Sequence, residues 1–292
     1  MTTSNSKQVS IIGLGKMGQK LAQLYVDAGY EVIVWNRTQG KTSQLSGVSV
    51  AASAEEAIRS TVLSIVCVHD NRAVQEILDS LSNKEGLEGN TIVNLTTGSP
   101  SEAADLEALL KKYGIHYING AIQAAPDQMG LLQTTILLAG DSQIFLGHKN
   151  TLEIIAGNLR HLGEKAAASP AMDMAALTCL YGSFAGLIYG VKMCQAFGIS
   201  LEDYSRVIAE ITPEFTSFFT HELQEIKNEN YEITQSPLAI SVSATQRIAD
   251  TFQELKVAQE FPRIIASILK KAEQRGLADK ELAAIIKVIE ED

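Results

Sequence analysis

Three glycines, Gly13, Gly15 and Gly18, stand between two short apolar runs near the start of the chain. Val9-Ser10-Ile11-Ile12 precedes them; Leu21, Ala22, Leu24, Tyr25 and Val26 follow at helical spacing, and Val32-Ile33-Val34-Trp35 closes the unit. The pattern reads as strand, tight turn, helix, strand. Gly13 lets the chain turn sharply out of the strand. Gly15 has no Cβ, so a pyrophosphate can come close to the backbone, and Gly18 lets the helix pack tightly on the sheet. The helix N-terminus offers unpaired N–H groups and a partial positive charge to phosphates. In this context the spacing is a dinucleotide-binding fingerprint, and Gly13, Leu14, Gly15, Lys16 and Met17 are expected to hold the ligand.

The end of the second strand selects the cofactor. NAD sites usually place Asp or Glu there to accept from the ribose 2′-hydroxyl. This chain has the neutral Asn36, then Arg37 and Thr38, with Lys41 just beyond. Arg37 can hold a 2′-phosphate with a planar fork of donors, Thr38 adds a hydroxyl, and Lys41 adds charge. The expected cofactor is NADPH.

Ligands of such folds bind at the carboxyl ends of the strands. Cys67-Val68-His69 and Asn94-Leu95-Thr96-Thr97 end two apolar runs; Cys67, Val68, Asn94 and Thr96 are expected against the cofactor. Gly120-Ala121-Ile122-Gln123 follows a third run and is placed toward the substrate. His69 could be a general base or a local hydrogen-bonding group. Asp173 stands at the start of a long apolar stretch, where it could compensate helix N-terminal charge, stabilise a cation or relay a proton. Tyr181, about two turns on, could pack with one satisfied hydroxyl or donate a proton. With no CxxC and no His/Glu cluster at ligand spacing, no metal site is expected, and no Gly-x-Ser-x-Gly elbow is present.

The elements that must position these groups alternate. Ala54–Ile58, Asn71–Leu81 and Ser101–Tyr113 read as helices, the last with Ser101 as a cap. Val62–Val68 is a near-continuous apolar run, expected of a strand covered on both faces in a parallel sheet; Thr91–Leu95 reads as another buried strand, and Ile115–Ile118 and Thr134–Leu138 as two more strands. The alternation predicts a doubly wound α/β domain with right-handed crossovers. From about Pro170 no strand is expected. Ala171–Phe197 predicts one long helix, apolar nearly all round, followed by Leu201–Ile211, Pro213–Glu229, Ala244–Phe261, Pro262–Arg275 and Ala278–Ile289. Pro213 and Pro262 both sit where helices are expected to begin. So apolar a helix suggests two subunits packing their helical halves together, the other reading being a core helix in a monomer.

The 292 residues allow two domains and a large core. A net charge of −10 argues against nucleic acid or an anionic membrane as partner. Cys67, Cys179 and Cys194 all lie in apolar segments, suiting buried thiols in a reducing compartment. The polar stretch from Met1 to Lys7 has no signal pattern, and no apolar run reads as long enough to span a bilayer. A soluble cytoplasmic protein is expected.

Taken together, Gly13-Leu14-Gly15-Lys16-Met17-Gly18, Val34-Trp35-Asn36-Arg37-Thr38, Asn94-Leu95-Thr96-Thr97-Gly98, Gly120-Ala121-Ile122 with Pro126, and Asp173-Met174-Ala175-Ala176-Leu177 with Tyr181-Gly182 resemble the imine reductases. These form a branch of the β-hydroxyacid dehydrogenase and 6-phosphogluconate dehydrogenase-like superfamily, and the resemblance covers nearly the whole chain. It implies an NADP-binding Rossmann domain over residues 1–168, then a long interdomain helix and an all-α dimerisation domain over residues 169–292. It implies an oxidoreductase that reduces a small-molecule imine with NADPH. It also implies a homodimer that exchanges helical halves, each active site lying between the Rossmann domain of one chain and the helices of the other. The family's proton donor corresponds to Tyr181 or Asp173. The superfamily's hydroxyacid dehydrogenases carry a lysine at a position matching Asp173; a carboxylate instead suits an iminium, which arrives positive and becomes neutral on taking hydride. Their Ser-Gly-Gly loop is replaced by Gln123-Ala124-Ala125, and Lys192, the only lysine on the long helix, is too far along it to replace the catalytic one. The alternatives are oxidation of a 3-hydroxy acid and NADPH binding without turnover. The chain departs from the imine reductase pattern at Asn119, where Asp is usual, at Gln123, where an apolar residue is common, and at Ala166–Ser169, where a glycine is expected.

Overall fold

A computed structural model describes residues 7–82 and 84–289. They divide into two compact units, the division falling between Thr178 and Cys179.

In the first unit the strands are β1 (Gln8–Ile12), β2 (Glu31–Trp35), β3 (Val48–Val50), β4 (Leu63–Val66), β5 (Thr91–Asn94), β6 (His116–Ile122), β7 (Thr135–Gly140) and β8 (Asn158–His161). They form one sheet in the order β3-β2-β1-β4-β5-β6-β7-β8. Helices α1 (Lys16–Asp27), α2 (Ala54–Arg59), α3 (Asn71–Asp79), α4 (Pro100–Lys111) and α5 (Ser142–Leu152) connect them. The order reverses between β1 and β4, the switch point at which doubly wound sheets bind ligands. Every β4 and β5 residue is buried. Side-chain alternation along β1 divides the apolar content between the two faces: Val9 and Ile11 join Leu21 and Tyr25 on one, while Ile12 joins Ile33, Ile77 and Leu78 on the other.

Several sequence expectations need correction here. β3 and β8 lie outside the expected elements. Both are short edge strands, with Ser49 and Val50 exposed on one and Asn158, Arg160 and His161 breaking the apolar run on the other; an edge strand needs little burial to pair. β6 continues through Gly120, Ala121 and Ile122, so that stretch is strand and not loop. It pairs antiparallel with β7, Ala121 opposite Leu137, while the other pairings are parallel. Ser99, not Ser101, caps α4. Its hydroxyl accepts from the Glu102 N–H while the Glu102 carboxylate accepts from the Ser99 N–H, with Pro100 at the first helical position.

Helix α6 (Ala168–Ala196) begins in the first unit and runs past the division. At 29 residues it is long and apolar enough to cross a membrane. That corrects the expectation that no such run exists: small polar and glycine residues interrupt the run, yet no charged residue stands between Asp173 and Lys192. Its most apolar stretch is not buried in the chain. The thiol expectation also changes, since Cys179 is exposed and Cys67 and Cys194 are half-buried, all three being free.

The second unit contains α7 (Leu201–Lys227), α8 (Leu238–Glu254), α9 (Glu260–Gln274) and, after a 3-10 turn at Leu282–Ile285, α10 (Ile286–Ile289). Its core gathers Leu238, Val242, Leu269, Ala272 and Val288. Pro213 lies inside α7 and does not begin a second helix. A proline forfeits one N–H in a helix interior, but the flanking turns continue, and the Thr212 hydroxyl bonds back to the Ile208 carbonyl.

Candidate active site

The chain leaves β1 through Gly13, whose φ is +100°. A side chain there would be strained by its backbone and would bring a Cβ within 2.3 Å of the Cys67 carbonyl oxygen. At Gly18 a Cβ would lie 1.9 Å from the Gly13 carbonyl oxygen, so α1 can cross the strand end only without one. Gly15 differs: a Cβ there would meet nothing within 4 Å. Gly15 is also the N-cap of α1 and supplies no capping oxygen, leaving the first-turn N–H groups suited to an anion.

Asn36 has a role the sequence did not suggest. Its Oδ1 accepts from the Leu14 N–H at 2.8 Å, and its Nδ2 donates to the Thr38 carbonyl at 2.8 Å. One amide thus locks the glycine turn to the end of β2, with Arg37, Thr38 and Lys41 beside it. No carboxylate on the β2 end competes for a ribose hydroxyl.

The candidates from Gly13 to Met17, from Asn36 to Thr38, Lys41, and Cys67 with Val68 line a single cleft of about 660 Å³. His69 lines it too. The α3 side of the wall is not visible in the sequence: Glu76, Ile77 and Ser80 contribute to it, whereas the helical periodicity marks only which α3 residues are buried. Glu76 lies 3.7 Å from the Arg37 guanidinium, both side chains largely exposed; such a pair holds Arg37 only loosely. Burial pushes the Cys67 thiol up to about 11, so it is a neutral wall group and not a nucleophile.

Asn94 and Thr96 are buried and lie outside that lining. Asn94 donates to Asn71 and to the Tyr117 hydroxyl, at 2.9 and 3.0 Å, while its Oδ1 accepts from the Thr96 N–H. The Thr96 hydroxyl accepts from the Val68 N–H at 3.1 Å. Both residues therefore support the β4 and β5 ends from behind.

Asp173 lies in the first turns of α6, half-buried, and accepts a hydrogen bond from the Gln123 amide at 2.7 Å. Tyr181 lies on the same helix in the second unit, 64% exposed. Lys192 donates to Gln195 at 3.2 Å. Among the described residues no group of three His, Cys, Asp or Glu side chains could hold a metal ion.

The open space at Gly15, the uncapped helix end and the cations past β2 fit a phosphorylated dinucleotide. Residues 8–163 match the family described as the NAD binding domain of 6-phosphogluconate dehydrogenase, and residues 164–291 match the C-terminal domain of NADPH-dependent reductive aminase-like proteins. This chain belongs to the imine reductases. A curated NADPH-dependent reductive aminase from Aspergillus oryzae is 29% identical over 288 residues, 96% of each chain. A solved imine reductase from Myxococcus stipitatus, in complex with NADP+, is 26% identical over 97% of this chain and 100% of that one, with a TM-score of 0.89. A reductive aminase from Aspergillus terreus, in complex with NADPH and ethyl levulinate, is 28% identical over 97% and 99%, with a TM-score of 0.86. As an imine reductase, the chain is an NADPH-dependent oxidoreductase that reduces C=N bonds.

Proposed function

We propose that this imine reductase acts on small cationic imines, with Asp173 favouring the positive charge and Tyr181 supplying or orienting the proton. Bound NADPH supplies a hydride to the imine carbon. Gly13 to Met17 hold its pyrophosphate, Arg37, Thr38 and Lys41 hold its 2′-phosphate, and Cys67, Val68, Asn94 and Thr96 form or support the wall beside it. The observation that carries the reading is the carboxylate of Asp173, on the helix where the superfamily's hydroxyacid dehydrogenases use an ammonium. An iminium is neutralised when it accepts hydride, so a carboxylate stabilises the reactant cation and any positive charge left in the transition state.

The functional division follows the sequence, with residues 1–168 binding NADP and residues 169–292 forming the interdomain helix and dimerisation domain. Leu180, Phe184 and Ile188 recur at helical spacing on α6 and are each about half exposed. They support a homodimer with exchanged helical halves, because an apolar stripe of this kind is costly in water. Free cysteines support a cytoplasmic location. The test is consumption of NADPH with a small cyclic imine, run beside NADH, with sedimentation reporting oligomeric state. Preference for NADH, or no imine reduced across a broad panel, overturns the reading.

A further inference from the structure

Gln123 follows the last residue of β6, and its N–H donates to the Thr135 carbonyl of β7 at 3.0 Å. Its backbone is therefore held by the antiparallel β6–β7 pair. Its side chain reaches a residue 50 positions away in sequence, donating from Nε2 to Oδ1 of Asp173 at 2.7 Å. Among the described residues Asp173 makes no ion pair, and Gln123 is its only side-chain partner.

The kind of partner matters. A lysine or arginine here would orient the carboxylate but cancel its charge. An apolar residue would leave the charge but not the orientation. A glutamine amide does both tasks: it is a neutral donor of defined direction, so one oxygen is fixed while the full negative charge remains. We propose that Gln123 is a positioning residue that holds Asp173 by Oδ1 and presents Oδ2 to a cationic imine. This rests on the assignment of Asp173 above and identifies what makes that carboxylate effective.

Gln123→Leu removes the donor, and Gln123→Glu replaces it with a group that donates only when protonated. Gln123→Leu is expected to lower kcat for a cyclic imine roughly tenfold or more, the scale of one hydrogen bond to a charged group, with the KM for NADPH unchanged. Gln123→Glu is expected to recover toward wild-type turnover at acid pH, where the introduced carboxyl group is protonated and donates to Asp173. It should lose activity as pH rises, when two carboxylates face each other. A merely structural role for position 123 does not produce that added pH limb. Wild-type kcat in Gln123→Leu, or coincident pH profiles for the two variants, overturns the proposal. A readout independent of turnover is the side-chain amide resonance of Gln123 in protein labelled with 15N-glutamine, which is expected to shift in Asp173→Asn. An unmoved resonance overturns the proposal whatever the enzyme reduces. A shifted resonance in a protein that reduces no imine keeps the pair and removes the reaction assigned to it.

Discussion

At the residue scale, the proposed chemistry rests on a few side chains. The exposed pair with Glu76 holds Arg37 only loosely, so its guanidinium can turn to a phosphate. Arg37→Ala is expected to weaken NADPH binding roughly ten- to a hundredfold, the scale of charge-assisted hydrogen bonds, and to leave NADH nearly unaffected; fluorescence titration with both nucleotides checks this. Equal losses for both would place Arg37 away from the 2′-phosphate. Tyr181 is exposed in the single chain and is not spent in its core. Tyr181→Phe should lower turnover of a cyclic imine on the order of 10²-fold, the usual range for a positioned acid, with NADPH affinity little changed. Full retained activity would remove Tyr181 from the mechanism.

At the element scale, the glycines of the β1–α1 turn separate stability from binding. Gly18→Ala drives a Cβ to 1.9 Å from backbone oxygen. It is expected to cost about 1–3 kcal/mol through overpacking, visible as a Tm lowered by several degrees. Gly15→Ala meets nothing and has an ordinary φ of −67°. That variant should melt close to wild type yet bind NADPH more weakly, since its methyl group occupies the path of the pyrophosphate. Calorimetric melting beside cofactor titration distinguishes the two, and unchanged NADPH affinity in Gly15→Ala would refute the assigned approach. The same turn shows why this part of the site was readable from sequence: its requirements lie within one βαβ unit and depend on residue type alone.

At the scale of the whole molecule, the second unit carries an acid-sensitive clasp. Burial penalises the charge on Glu281, but donors from the Gln235 N–H, the Thr234 N–H and hydroxyl, and the Leu282 N–H outweigh it and hold the carboxyl at about 2. Three of these bonds measure 2.6, 2.8 and 2.9 Å. A folded-state value below the unfolded one, about 4.3, means that the contribution is present above that value and is lost as pH falls toward 2. Wild-type Tm should therefore decline through this window. Glu281→Gln should be less stable at neutral pH and show a flatter decline. Glu222 works in the opposite sense: burial, then the charge of Glu281, raise its carboxyl, so it disfavours the fold as pH rises through its folded-state value. A Tm profile unchanged by Glu281→Gln would show that the clasp contributes nothing.

Residue order alone encodes the cofactor turn, the missing carboxylate after β2, the alternation of buried strands and helices, and the change to helices after residue 170. Each resides in short-range spacing or in a single residue type, where hydrophobic burial and backbone sterics act locally. Other features arise only when the chain is folded. The edge strands β3 and β8 pair with little burial, β6 and β7 run antiparallel, and α7 carries Pro213 without breaking. The Asn36 amide ties two loops together, and Gln123 reaches Asp173 across 50 residues. These depend on which distant segments become neighbours, and no local preference encodes that.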